Sequence, residues 1–186
     1  HTRLVIGDNN IIRENCTLST GTVRGRSLTE VGNENLIMAY SHVAHDCKLG
    51  DKILMANGAQ LAGHVFIDNN ATLGGFSLIH QFVRLGKYSF TSMGSAINKD
   101  LPPYCLASGN YARAIGLNRV GLRRIGMRRE VIDALAKAFR LLVQRRNSPE
   151  EELDILRNRF SEVNEFVIFV KESQRGILRT HLKART

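Results

Sequence analysis

The sequence predicts a left-handed parallel β-helix of hexapeptide repeats, followed by an α-helical region. Every sixth residue from Val31 to Ile97 is aliphatic, with Thr91 as the one exception. A period of six fits neither an α-helix nor an alternating strand, whose periods are 3.6 and 2. It is typical of a β-helix in which short strands meet at corners and three six-residue sides make one coil. The series is Val31, Ile37, Val43, Leu49, Met55, Leu61, Ile67, Leu73, Ile79, Leu85, Thr91 and Ile97.

We expect the β-helix to occupy residues 1–103. Ile6, Ile12 and Leu18 keep the six-residue spacing, but thirteen residues separate Leu18 from Val31, where twelve would be regular. The extra residue is placed in residues 21–27, in a loop that projects from a corner, and such insertions tend to line binding faces. Because the spacing already runs at Ile6, we also expect further coils before residue 1.

Residues 104–186 are predicted to form a C-terminal helical domain. Pro102 and Pro103 end the repeat, because neither can donate a hydrogen bond to a strand ladder. An irregular, glycine-containing connector follows, then an apolar helical stripe, then a second helix that begins at a capping box of Ser148 and Glu151. The stripe is Val131, Leu135, Ala138, Leu141 and Leu142, and the second helix buries Leu153, Leu156, Phe160, Val163 and Val167.

Composition narrows the class of protein. The 186 residues carry a net charge of +9 and contain no run of eighteen apolar residues, so no transmembrane helix is expected. The first residues do not resemble a signal peptide. Cys16 and Cys47 fall at positions of the repeat where the residue is usually small. This indicates reduced thiols packed in the core and a cytoplasmic protein.

Basic residues are concentrated between Arg113 and Arg146, where only Glu130 and Asp133 oppose them. Such a patch attracts phosphates or an acidic protein. Nucleic acid is not the expected partner, because the segment has few aromatic residues for base stacking and no recognised DNA-binding motif. The patch consists of Arg113, Arg119, Arg123, Arg124, Arg128, Arg129, Lys137, Arg140, Arg145 and Arg146.

Four of the histidines fall on one edge of the predicted prism. Residues eighteen apart stack in adjacent coils at the ordinary strand spacing, so the residue number modulo eighteen gives the position around the coil. Asp46 then stacks on His64, and Gly63 lies one coil above His45 and one below Gln81. The strip contains His42, His45, Asp46, Gly63, His64, His80 and Gln81.

The side chains of this strip indicate a catalytic edge. Imidazole suits general-base work near neutral pH. A carboxylate such as Asp46 can orient the imidazole, and a glycine at position 63 leaves a backbone N–H open to an oxyanion. Two other interpretations stay open. One is a structural ladder of stacked polar side chains, and the other is a zinc site formed by His45, His64 and His80.

Three motifs on this edge are specific as a set. They are Ser-His-Val-Ala-His-Asp-Cys at 41–47, Leu-Ala-Gly-His-Val at 61–65 and Ile-His-Gln-Phe at 79–82. Further runs at 6–10, 12–14, 99–104, 121–124 and 173–177 extend the match, in order, through the whole chain. Together they resemble the UDP-N-acetylglucosamine O-acyltransferase family of lipid A biosynthesis.

The resemblance implies a homotrimer with active sites between subunits and no cofactor or metal. It implies transfer of a 3-hydroxyacyl chain from acyl carrier protein to the 3-hydroxyl of UDP-N-acetylglucosamine, the first step of lipid A biosynthesis. His45 would be the general base, Asp46 would orient it, and the Gly63 N–H would hold the thioester oxyanion. The residues that would position the sugar nucleotide and the donor are His42, His64, His80, Gln81, Asn118 and Arg124.

Met93 is expected to limit acyl-chain length. It stacks on Asn57 and Gly75, along the edge next to the histidines. In the resembled family a glycine at this position accompanies long acyl chains and a bulky residue accompanies shorter ones. The resemblance therefore implies a medium chain, nearer ten carbons than fourteen. The alternative is that Met93 only fills a subunit interface.

Four positions depart from the family pattern. Ser19 and Thr20 replace a His-Arg pair, Val120 replaces a glutamate and Ile125 replaces a second arginine. These losses keep an amino-sugar nucleotide open as an alternative acceptor. A metal-dependent β-helix enzyme and a non-catalytic scaffold that binds acyl carrier protein are the remaining alternatives.

Overall fold

A computed structural model describes residues 1–145 and 150–180, and it confirms a left-handed, three-sided parallel β-helix. Sheet 1 contains β1 (Arg3–Ile6), β4 (Leu28–Val31), β7 (Lys48–Leu49), β10 (Phe66–Ile67) and β13 (Arg84–Leu85). Sheet 2 contains β2 (Ile11–Ile12), β5 (Leu36–Ile37), β8 (Leu54–Met55), β11 (Thr72–Leu73) and β14 (Phe90–Thr91). Sheet 3 contains β3 (Thr17–Leu18), β6 (His42–Val43), β9 (Gln60–Leu61), β12 (Leu78–Ile79) and β15 (Ala96–Ile97).

Adjacent coils pair through residues eighteen apart. In β10 and β13, for example, Phe66 lies opposite Arg84 and Ile67 opposite Leu85. All positions of the aliphatic series from Val31 to Ile97 are buried inside the prism. The apolar interior therefore fixes which face of each two-residue strand points inward.

The corners have their own period of six. Every sixth residue from Glu34 to Gly94 has a positive φ, and only two of these eleven, Gly58 and Gly94, are glycines. For other residues this conformation costs roughly 1–2 kcal/mol. Backbone hydrogen bonds between coils hold them there, as when His64 N–H donates to the His45 carbonyl at 3.0 Å. Asp46 and His64 both occupy such corners.

The loop before β4 is longer than predicted. Ile6 pairs with Val31 and Leu18 pairs with Val43, so this coil has 25 residues in place of eighteen. The predicted insertion of one residue is therefore wrong, and seven residues are inserted. Leu18 on sheet 3 and Val31 on sheet 1 are separated by one corner, for which the regular spacing is six and not twelve.

A β-hairpin replaces the predicted irregular connector. β16 (Cys105–Gly109) pairs in parallel with β14, and β17 (Ala112–Leu117) pairs antiparallel with β16. Sheet 2 thus continues past the buried Pro102 and Pro103. The prolines end the six-residue repeat, but they do not end the sheet.

Over residues 119–145 and 150–180 four α-helices follow: α1 (Arg119–Arg124), α2 (Arg129–Phe139), α3 (Glu150–Arg159) and α4 (Ser161–Glu172), with a π-helical turn at Arg140–Gln144. The predicted stripe is buried except at the half-buried Leu142. The predicted second helix is two helices, because Phe160 is extended and buried between α3 and α4. Ser148 of the predicted capping box lies outside the described residues. No helix in the described parts of the chain has the length and apolar character needed to cross a membrane.

The segment after α4, residues 173–178, returns to the β-helix and binds at Asp100. Ser173 Oγ donates to Asp100 Oδ2 at 2.7 Å. The Asp100 N–H donates to the Gly176 carbonyl at 3.1 Å, and Leu178 N–H donates to the Asp100 carbonyl at 2.8 Å. Ile177 and Leu178 are buried. We call residues 173–178 the return segment.

The buried Thr91 explains the exception in the aliphatic series. Its hydroxyl lies 2.8 Å from Ser77 Oγ and accepts from the Gly74 N–H at 3.3 Å.

We expect Thr91→Val to destabilise the protein by about 1 kcal/mol, because one partner of a buried polar pair is removed. The free energy of unfolding of the double variant Thr91→Val/Ser77→Ala should be closer to that of wild type than the sum of the two single changes predicts, since both polar partners are then absent. Urea unfolding at fixed protein concentration measures this, and strictly additive effects would contradict it.

Candidate active site

The predicted strip forms one corner of the prism, between sheets 3 and 1. His64 N–H donates to the His45 carbonyl at 3.0 Å, and Phe82 N–H donates to the Gly63 carbonyl at 3.2 Å. These bonds give the column His45, Gly63 and Gln81 beside a second column of Asp46, His64 and Phe82. The stacking predicted from residue numbers is therefore present in the structure.

His45 and Asp46 form a hydrogen-bonded pair. His45 Nδ1 lies 2.9 Å from Asp46 Oδ2. Because the carboxylate only accepts, Nδ1 carries a proton, and in the neutral imidazole Nε2 is then the nitrogen with the lone pair. The His45 side chain is 40% exposed while that of Asp46 is fully buried. The pair therefore presents a basic nitrogen to solvent and keeps its charge inside.

The loop before β4 surrounds Asp46 with donors. The Thr22 hydroxyl donates to Oδ2 at 2.6 Å, and the Thr22 N–H lies 3.1 Å from both carboxylate oxygens. Burial raises the pKa of Asp46, but the hydrogen bonds from Thr22, His45 and the Arg26 backbone outweigh it and hold the pKa well below its ordinary value. Asp46 therefore stays ionised at neutral pH. Its own N–H donates to Thr29 Oγ1 at 2.8 Å.

Gly63 lies directly against the His45 ring. A Cβ at this position would come within 2.5 Å of His45 Cε1 and 2.7 Å of Nε2. Any other residue would therefore displace the imidazole. Within the described residues the Gly63 N–H has no hydrogen-bond partner, and an unpaired backbone N–H is the kind of donor that binds an oxyanion.

His64 completes the cluster. Its ring meets the His45 ring edge-on at 5.1 Å and stacks on Phe82 at 4.6 Å. His64 Nε2 lies 3.9 Å from Asp46 Oδ2, and one ligand atom each from His45, Asp46 and His64 lie within 4.8 Å of one another. In this group the His45 Nδ1–H points at the carboxylate itself, as in a hydrogen-bonded pair. The group found is not the predicted zinc set, because His80 does not belong to it.

The other three residues of the strip are also at or beside this corner. His42 Nδ1 lies 2.7 Å from Thr17 Oγ1 on sheet 3. His80 follows β12 and is exposed, and its Nδ1 lies 3.3 Å from Arg175 Nη2. Gln81 is exposed one coil above Gly63. Their roles toward a substrate stay predictions.

Asn118 and Arg124 lie elsewhere in the chain. Both line a cleft of about 520 Å³ on sheet 2, whose apolar floor includes Leu54 and Phe90 and whose rim includes Val120. Asn118 caps α1, where its Oδ1 accepts from the Gly121 N–H at 3.1 Å. The structure of one chain therefore does not bring these two residues to the histidine corner. Met93 is on the corner between sheets 2 and 3 and is 78% exposed.

Four residues near the site were missed by the sequence reasoning: Thr22, Thr29, Phe82 and Arg175. Phe82 lies eighteen positions after His64, so the coil length predicts that the two residues stack. Thr22 lies in the loop before β4, whose length the six-residue spacing does not predict. The spacing therefore does not indicate its contact with Asp46. Arg175 follows four helices, and no periodic signal relates it to His80.

A hexapeptide β-helix whose corner holds a histidine–aspartate pair against a glycine indicates a class of protein, the hexapeptide-repeat acyltransferases. Residues 100–178 match the family model described as UDP N-acetylglucosamine O-acyltransferase, domain 2. The acyl-[acyl-carrier-protein]–UDP-N-acetylglucosamine O-acyltransferase of Alkalilimnicola ehrlichii is 49% identical over 181 residues, which are 96% of this chain and 70% of that protein. The chain belongs to the UDP-N-acetylglucosamine O-acyltransferase family.

Solved structures of this family have the same fold as the chain. The enzyme of Acinetobacter baumannii, LpxA, is 40% identical with a TM-score of 0.90, and the match covers 96% of this chain and 70% of that one. The UDP-N-acetylglucosamine acyltransferase of Francisella novicida is 38% identical with a TM-score of 0.89, over 95% of this chain and 66% of that one. The chain spans about 70% of the curated relative's length.

Thr22 provides a test of the Asp46 environment. Thr22→Val removes the hydroxyl donor, so we expect the pKa of Asp46 to rise toward its ordinary value and stability at pH 7 to fall by about 1.5–3 kcal/mol. The native pKa is depressed, so the stability Asp46 contributes is present above the unfolded value of about 3.9 and is lost as the pH falls through the native pKa.

The difference in free energy of unfolding between wild type and Thr22→Val should therefore become smaller as the pH falls. Urea unfolding across this pH range, with a carbon-13 titration of the Asp46 carboxyl, measures both effects. Thr20→Val is the matched control, because the Thr20 hydroxyl is exposed and makes only a 3.4 Å contact with Thr2. A difference that does not change with pH would show that Thr22 acts through packing and not through the carboxylate.

Proposed function

We propose that His45 is the general base with which this chain transfers a 3-hydroxyacyl group from acyl carrier protein to the 3-hydroxyl of UDP-N-acetylglucosamine. This is the first step of lipid A biosynthesis. The observation that carries the proposal is the His45–Asp46 pair, with its buried carboxylate and its open Nε2 beside the Gly63 N–H. Membership of the family supports the two substrates.

The reaction follows from the proton positions. Nε2 of His45 takes the proton of the sugar hydroxyl as the oxygen attacks the thioester carbonyl carbon. The imidazolium that forms is stabilised by Asp46, which its hydrogen bonds keep ionised. The C–S bond then breaks, and His45 returns the proton to the thiolate that leaves. The acyl ester and the free carrier thiol are the products.

Gly63 supports the same step from the other side. The carbonyl oxygen gains negative charge as the hydroxyl attacks, and the Gly63 N–H, which has no partner in the described part of the chain, is a fixed donor in the residue that lies against the His45 ring. A donor that needs no rearrangement stabilises such a charge effectively. The glycine thus has two roles, as a donor and as the space in which the imidazole lies.

A homotrimer would bring the separated residues together. Exposed apolar side chains mark interaction surfaces. Here Tyr40, Phe76 and Met93 project from the corner between sheets 2 and 3, and Leu78 projects from sheet 3. Three subunits in a ring with sheet 3 inward would set this corner against the histidine corner of the neighbour. The neighbour's histidines would then face Met93 and the cleft of Asn118 and Arg124.

Charge supports the two substrates. Some of the basic patch is already paired, since Arg128, Arg129 and Lys137 contact Glu130, Asp133 and Glu152. Arg119 and Arg124 line the sheet 2 cleft instead. They are placed to attract the pyrophosphate of the nucleotide and the acidic surface of acyl carrier protein. The three free thiols fit a cytoplasmic location.

We expect His45→Ala to lower the rate by a factor of roughly 10³–10⁴, and Asp46→Asn to lower it by a smaller factor, because the imidazole remains but the amide favours its wrong tautomer. Acyl transfer is measured with UDP-N-acetylglucosamine and 3-hydroxyacyl carrier protein. Glu34→Gln is the control, since Glu34 is an exposed acidic corner residue outside the site. Normal activity in His45→Ala would disprove the assignment of the base. Activity only with an amino-sugar nucleotide would correct the acceptor.

Met93 is proposed to end the acyl groove. Met93→Gly should raise the ratio of rates with a fourteen-carbon and a ten-carbon donor, because the methionine side chain no longer occupies the groove. The ratio, measured on one preparation, is independent of the amount of active enzyme. An unchanged ratio, with a less stable trimer by sedimentation, would assign Met93 to the subunit interface alone.

A further inference from the structure

The return segment brings an arginine to the histidine corner. Asp100 is buried and binds this segment through its side chain and its backbone, so the position of residues 173–178 is fixed on the β-helix. Gly176, with a φ of +72°, lets the chain turn between Arg175 and the buried Ile177. Arg175 therefore reaches the β-helix from a segment that is anchored on both sides of it.

Within the described residues the Arg175 guanidinium has two hydrogen-bond acceptors. Nη2 lies 3.3 Å from His80 Nδ1 and 3.2 Å from the Asn98 carbonyl oxygen. Nε is buried and has no partner in that part of the chain. A buried donor without a partner carries a cost. The guanidinium is therefore held in a position that leaves Nε unpaired while Nη2 contacts His80.

The contact bears on which ring nitrogen of His80 carries the proton. A guanidinium has only donors and stays charged. Its approach to Nδ1 therefore requires a lone pair there, and the ring proton must be on Nε2. His80 Nδ1 also lies 3.2 Å from the Gln81 carbonyl, which would favour a proton on Nδ1. Nδ1 cannot accept from Arg175 and donate to the Gln81 carbonyl at the same time. An Nδ1–H facing an arginine N–H would be repulsive, so Arg175 determines which nitrogen carries the proton.

We infer that Arg175 is a positioning residue that fixes His80 as the neutral Nε2–H tautomer and so points one N–H donor into the site. The inference rests on the proposed function and on the family resemblance, which implies that His80 positions a substrate. The Nε2–H would donate to an acceptor oxygen of the sugar nucleotide or of the acyl donor. The C-terminal region would thereby control a hydrogen bond at the β-helix corner.

Nitrogen-15 NMR of the histidine rings in the full chain tests the inference directly, with His80→Gln to assign the signal. We expect protonated Nε2 and unprotonated Nδ1 in the wild type. In Arg175→Met the Nδ1 becomes free to donate to the Gln81 carbonyl, so its protonated form should increase. A proton on Nδ1 in the wild type would overturn the inference without any variant.

Kinetics provide the second arm. We expect Arg175→Met to lower kcat/KM roughly tenfold or more, and to have no further effect in a His80→Ala background. Arg175→Lys, which keeps a charged donor, should restore part of the activity. Arg179→Met is the matched control, because Arg179 donates to the Leu142 and Arg145 carbonyls and not to a histidine.

The possible failures can be told apart. An equal loss in wild-type and His80→Ala backgrounds would show that Arg175 only anchors the return segment, and would overturn the inference. Full activity in His80→Ala would remove His80 from the proposed site, and with it the role of Arg175. A chain that transfers no acyl group would refute the proposed function, while the ring-nitrogen signals of His80 would still decide which tautomer Arg175 selects.

Discussion

The hydrogen-bond ladder between coils is the constraint on which the rest of the structure depends. Each coil of eighteen residues stacks on the next at the strand spacing of about 4.8 Å, with partners such as Phe66 and Arg84 in direct register. The strands are only two residues long, so no single strand could hold its conformation alone. The ladder also holds nine corner residues other than glycine at positive φ. The apolar column inside and the polar columns outside both follow from this one repeat.

The site shows what the ladder supplies and what it does not. It sets His45 beside Gly63 and Asp46 below His64, because consecutive coils place equivalent corners on one line. Of the donors that keep Asp46 ionised, it supplies the His45 ring. The others, Thr22 and the Arg26 backbone, come from the one loop that departs from the repeat. The regular part of the fold thus positions the base, and the irregular part sets the charge behind it.

The same division explains how much the sequence could predict. The buried series, the three sheets and the histidine corner follow from a period of six, which local spacing carries directly. The hairpin of β16 and β17 does not, since its pairing with β14 is a tertiary contact that glycine and proline positions leave open. The break at Phe160 was hidden because its apolar spacing continues from α3 into α4. The contact of Arg175 with His80 joins residues 95 positions apart, and no pattern within either segment encodes it.

The corner columns limit how the length of the protein can change. A deletion or insertion between residues 31 and 97 keeps the columns intact only if it removes or adds whole coils, in multiples of eighteen, or forms a loop outside a corner as residues 19–27 do. A change of six would keep every aliphatic residue inside but would rotate all later corners by one side of the prism. If the change lies between His45 and His80, His80 would leave the edge that holds His45, although the core would remain fully packed. Indels in this region therefore threaten the site long before they threaten the fold.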